Sequence, residues 1–86
     1  MGSLKKILER MAGSPTNVRF SELCKVCDRF FGKARQKGTS HRLYRTPWAD
    51  DPRINIQDDR GIAKAYQVKQ VLTAIHRLED EHESEK

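Results

Sequence analysis

The stretch Lys33-Ala34-Arg35-Gln36-Lys37-Gly38-Thr39-Ser40-His41-Arg42-Leu43-Tyr44-Arg45-Thr46 decides how the whole chain is read. Gly38 and Thr39 supply turn chemistry, and neither flank shows the three- and four-residue apolar spacing of a helix. Two extended segments joined by a tight turn follow, over residues 33–37 and 40–46. The loop Pro47-Trp48-Ala49-Asp50-Asp51-Pro52 comes next, and residues 53–57 read as a third strand closed by Asp58-Asp59-Arg60-Gly61. Links of hairpin length make three antiparallel strands the economical arrangement.

Helical spacing lies on both sides of this sheet. Leu4, Ile7, Leu8 and Met11 recur at helix period, with Ser3 placed to cap the segment and Gly13 to end it. After the turn residues Gly13-Ser14-Pro15-Thr16-Asn17, Ser21 is expected to cap a second helix, with Phe20 as its hydrophobic staple and Gly32 as its stop. Leu23, Cys24, Cys27, Phe30 and Phe31 share its apolar face. Downstream, Val68, Val71, Leu72, Ile75 and Leu78 predict a helix over about 65–81. The expected fold is α+β, order ααβββα, with helices on one sheet face and the other face left to water or a partner.

At 86 residues the chain can bury one modest core, so residues 1–82 are read as a single domain. Residues 83–86 are an acidic tail expected to fray, because negative charge is unfavourable at a helix C-terminus. The net charge of +5 hides an asymmetry: residues 1–77 hold 16 bases and 7 acids. A body this basic favours an anionic partner, nucleic acid above all, since each neutralised phosphate releases counterions. No apolar run approaches membrane-spanning length and no hydrophobic signal segment opens the chain, so a cytoplasmic location is expected.

Chemistry concentrates in the quoted stretch. Residues 33–46 carry five bases, Lys33, Arg35, Lys37, Arg42 and Arg45, and no acid. A glycine lets the backbone approach a phosphate, the Thr39 and Ser40 hydroxyls can bond its oxygens, and His41 can move protons near neutral pH. These are the parts needed to cut a phosphodiester, with Arg35, Lys37, Gly38, Thr39, Ser40, Arg42, Arg45 and Lys64 as RNA-binding candidates and His41 as the catalytic one. His41 is otherwise a half-exposed strand residue that satisfies a neighbouring carbonyl, or one that only bonds a phosphate or 2′-hydroxyl without catalysis. In that alternative the chain is a non-catalytic RNA- or ribosome-binding module.

Other features carry less. Cys24 and Cys27 form a lone C-x-x-C on an apolar helix face, read as structural because a zinc site needs further ligands at matching spacing. His76 and His82 lie on or beyond a helix surface. Trp48 either stacks on a base, anchors a partner or folds back over a sheet edge. No cofactor or metal is expected.

The run from Arg35 to Pro47, continued by Arg53-Ile54-Asn55-Ile56-Gln57 and Ala65-Tyr66-Gln67-Val68-Lys69-Gln70-Val71-Leu72, resembles the HicA family of toxins from bacterial toxin–antitoxin pairs. Gly38, Ser40, His41, Leu43 and Tyr44 match that family's glycine, hydroxyl residue, catalytic histidine and aliphatic–aromatic pair. The resemblance implies a fold similar to a double-stranded-RNA-binding domain and an mRNA-cleaving ribonuclease held inactive by a HicB-like antitoxin. Independently of the resemblance, the chain is expected to be monomeric when free and to cleave without a required metal. Thr39 lengthens the turn by one residue, and Asn55 and Gln57 stand where many members have a histidine. The N-terminal helix and the loop around Trp48 also depart from the family pattern.

Overall fold

A computed structural model describes residues 4–38, 40–48 and 53–84. The chain runs α1 (Leu4–Gly13), a 3-10 turn (Pro15–Asn17), α2 (Phe20–Phe31), β1 (Gln36–Lys37), β2 (His41–Tyr44), β3 (Ile54–Asp59), β4 (Ile62–Ala63) and α3 (Ala65–Ser84). The expected α+β order is present, and the antiparallel strands lie in the order β1-β2-β3-β4. β4 is a two-residue addition that the sequence reading left unassigned between the turn at 58–61 and the last helix.

Local chemistry accounts for where the elements differ from expectation. Ser21 does not cap α2. Arg19 occupies the cap position, and its N–H donates to Glu22 Oε1 at 3.0 Å, so the helix starts at Phe20 and Ser21 lies inside it. Arg10 of α1 also pairs with Glu22 and ties the two helices together. Burial alone would raise the Glu22 carboxyl, but the Arg19 N–H and the Arg10 guanidinium outweigh it and hold the group below its ordinary value. At the other end Gly32, at φ +80°, stops α2 as expected. The proposed Ser3 cap lies outside the described residues.

β3 runs to Asp59, past its expected end at 57, because Arg60 (φ 56°) and Gly61 (φ 87°) both adopt left-handed backbone. Two such residues make a type I′ hairpin, which returns the chain into β4 with Asp58 opposite Ala63 and Asp59 opposite Ile62. Residues 18–20 then lie along the far side of β4. Ala63 N–H donates to the Val18 carbonyl at 2.8 Å, and Phe20 N–H to the Gly61 carbonyl at 3.0 Å. The connection between α1 and α2 thus closes that side of the sheet. On the other side β1 is only two residues long, although Arg35 N–H still donates to the Leu43 carbonyl at 2.6 Å.

The core forms between the helices and one face of the sheet. Ile7 and Met11 of α1, Leu23, Cys24, Val26 and Cys27 of α2, Tyr44, Ile54, Ile56 and Ala63 of the sheet, and Val68, Val71, Ala74 and Ile75 of α3 are buried. Each large aliphatic among them contributes about 1.5–3 kcal/mol by leaving water. Both cysteines are reduced and sit in this core. No helix among the described residues is long and apolar enough to cross a membrane. α3 continues to Ser84, beyond the expected end at 81 and into the stretch expected to fray; residues 85 and 86 lie outside the described part.

Candidate functional site

Alternation along β2 sorts the basic stretch into two groups. Tyr44 is buried and faces the helices, and Arg42, two residues away, faces the same side. His41 and Leu43 take the opposite, open face. Arg42 comes within 3.7 Å of Asp28 Oδ2 in α2, and the Tyr44 hydroxyl donates to Asp28 Oδ1 at 2.6 Å. Burial, and then this bond to Asp28, pushes the Tyr44 phenol up, while a hydrogen bond with Arg42 works the other way. Arg42 is thereby committed to a cluster behind the sheet, away from the face that carries His41.

His41 is exposed at the start of β2, opposite Gln57 of β3. Gly38 N–H donates to the His41 carbonyl at 2.9 Å and closes the turn, while Asp58 N–H donates to the Ser40 carbonyl at 2.8 Å. The imidazole lies flat against Gly38. A methyl group added there would stand 2.9 Å from Cε1 and 3.2 Å from both ring nitrogens, so glycine is the residue that gives the ring this seat.

The ring borders a polar cleft of about 300 Å³ lined by Ser40, His41, Gln57, Asp58, Asp59 and Lys64. Lys64 arrives from the start of α3, far along the chain from the basic stretch. Asp58 Oδ1 accepts the Gly61 N–H at 2.5 Å, so this carboxylate is occupied in shaping the β3–β4 turn. Asp59 is exposed, and one pair along the ladder from Gln57 it lies diagonal to His41 on the open face. The Gln57 N–H is met at 2.7 Å by Oε1 of Gln67, a side chain of α3 that is only 3% exposed. This bond holds the helix start against the cleft wall.

The sequence candidates therefore separate. His41, Ser40 and Lys64 line one cleft, and Gly38 lies beneath the imidazole. Arg35 is exposed before β1, and Arg45 is exposed at the far end of β2 from His41. Lys37 pairs through its backbone with Arg42, and its side chain lies outside the described atoms, as does Thr39. The single clamp expected from residues 33–46 is split between two faces and two ends of a strand.

Trp48 resolves to the core-covering alternative. It is 9% exposed, packs beside Ile54, and carries the Arg77 guanidinium 4.1 Å above its ring centre. His76 is exposed on α3, and the His82 side chain lies outside the described atoms. Among the described residues no group of three His, Cys, Asp or Glu is placed to hold a metal ion. Comparison with protein-family models, curated proteins and solved structures finds no match.

Sequence reasoning missed Gln57, Asp59 and Gln67 as parts of the site. Asp59 and Gln67 had signals that could have been read: an acid one strand-period beyond Gln57, and a glutamine beside Val68 on the apolar stripe.

Proposed function

We propose that the chain is a HicA-like toxin, an endoribonuclease that cleaves mRNA in the cytoplasm through His41 and is neutralised by a HicB-like antitoxin. The observation that carries this reading is the imidazole seated on Gly38, open to solvent, on a cleft shared with Ser40 and Lys64. The likeness of Gly38, Ser40, His41, Leu43 and Tyr44 to the HicA motif adds to it.

A metal-independent cut needs three functions. His41 takes the proton of a ribose 2′-hydroxyl, and the freed oxygen attacks the adjacent phosphorus. Lys64 and the Ser40 hydroxyl bind the phosphoryl oxygens as their charge grows. The bond from phosphorus to the 5′-oxygen breaks, leaving a 2′,3′-cyclic phosphate, and the departing oxygen takes a proton from a second group. Lys64 or a water could supply it, and the His41 imidazolium formed in the first transfer then returns its proton to solvent. The antitoxin would act by covering the open face.

The test is time-dependent cleavage of a defined single-stranded RNA in EDTA. His41→Ala should cut at least about 100-fold more slowly than the parent, the scale of a lost general base. Antitoxin added to the parent should leave the RNA intact. Equal cleavage by parent and variant would remove His41 from the chemistry, and RNA bound but uncut by a folded parent would favour the binding-module alternative.

A further inference from the structure

Two large apolar side chains are markedly exposed among the described residues, Ile62 at 38% and Tyr66 at 63%. Neither lines the His41 cleft itself, but each neighbours a residue that does. Ile62 pairs with Asp59, which lines it, and Tyr66 lies two residues after Lys64, which also lines it, in the first turn of α3. An aromatic left two-thirds in water on a well-packed helix makes little contribution to folding.

The ring is also held in place. Gln67 Nε2 donates to the Tyr66 hydroxyl at 3.3 Å, while Oε1 of the same amide accepts the Gln57 N–H at 2.7 Å. One buried glutamine therefore links the tyrosine to the strand residue facing His41. The arrangement offers a tethered, solvent-facing π surface joined through Gln67 to Gln57 of the cleft wall.

We propose that Tyr66 is a stacking platform for an unpaired nucleobase adjacent to the phosphate held at the His41 cleft. This rests on the ribonuclease reading and deepens it. A base has an apolar face that matches the ring, and the neighbouring phosphate finds Lys64. Bases in a duplex are stacked on one another and cannot use the platform. The site therefore takes single-stranded RNA, and Tyr66 sets that preference without touching the reacting atoms.

The experiment measures binding in the His41→Ala background, so that RNA stays intact, with a short labelled single strand and the same strand annealed to its complement. Tyr66→Ala should weaken single-strand binding by at least about fivefold, the low end for one stacked base. Tyr66→Phe and Tyr66→Trp should keep it, duplex binding should not change, and the salt slope should stay the same because no charge is lost. Circular dichroism checks the fold. Unchanged single-strand affinity for Tyr66→Ala, or an equal loss with Tyr66→Phe, overturns the platform while leaving cleavage by His41 standing. A parent protein that neither binds nor cuts RNA removes the ribonuclease reading and the platform with it.

Discussion

Gly38 and His41 separate function from stability at the scale of single residues. An alanine methyl at position 38 would meet the end of a side chain that is free to move, so the fold can relieve the clash by turning the imidazole away. Gly38→Ala should therefore change the melting temperature little while slowing RNA cleavage by tenfold or more, read by calorimetry and the cleavage assay together. A variant that loses stability and activity in step would mean that the glycine serves the turn alone. The motif around His41 was legible from residue types, a glycine turn, hydroxyls and a histidine among bases, but Gly38 was read as room for a phosphate, and its contact with the imidazole appears only in the fold. Lys64 was legible as a base, and Asp59 only by its strand period from Gln57, but that both meet His41 in one cleft depends on how β3 and the start of α3 come together. Arg42 looked like a phosphate ligand by composition, and only strand alternation and Asp28 assign it to the other side.

Among the elements, the β3–β4 hairpin carries a residue poorly matched to its backbone. Arg60 sits at φ 56°, where a branched or long side chain is unfavourable and asparagine is well tolerated. Arg60→Asn should stabilise the fold by up to about 1 kcal/mol and raise the melting temperature by a few degrees. A drop would show that the guanidinium contributes contacts that outweigh the backbone cost. The helices were readable in outline because their apolar residues recur at helical period over two turns or more, as Ile7 and Met11 or Val68, Val71 and Ile75 show. β4 was not, since two residues cannot display a period; Ile62 and Ala63 become a strand through the left-handed turn before them and the Val18 carbonyl beside them.

For the whole molecule, the buried thiol and phenol set an alkaline limit. Burial raises Cys27, helped by Cys24 and Asp28, and burial and Asp28 raise Tyr44. Both are acids whose folded-state pKa lies above the unfolded one, so the unfolded chain gives up its proton first. The associated stability is complete below about pH 8.5 and falls as pH rises, first through the thiol and from about pH 10 also through the phenol. Each group removes up to about 1.4 kcal/mol per pH unit in its range. Urea midpoints at pH 7, 9 and 10.5 should fall in that order, and Cys27→Ala should flatten the first step; a flat profile would mean that the interior opens to admit hydroxide without unfolding.

The closed side of the sheet has a consequence for behaviour at high concentration. Residues 18–20 satisfy β4, and the opposite border ends in the two residues of β1, so an incoming chain meets almost no ladder to extend. Growth of cross-β fibrils from the native state lacks a template here, and that protection comes from backbone geometry instead of from surface charge. Raising the salt, which strips a basic protein of its mutual repulsion, leaves this barrier to polymerisation in place.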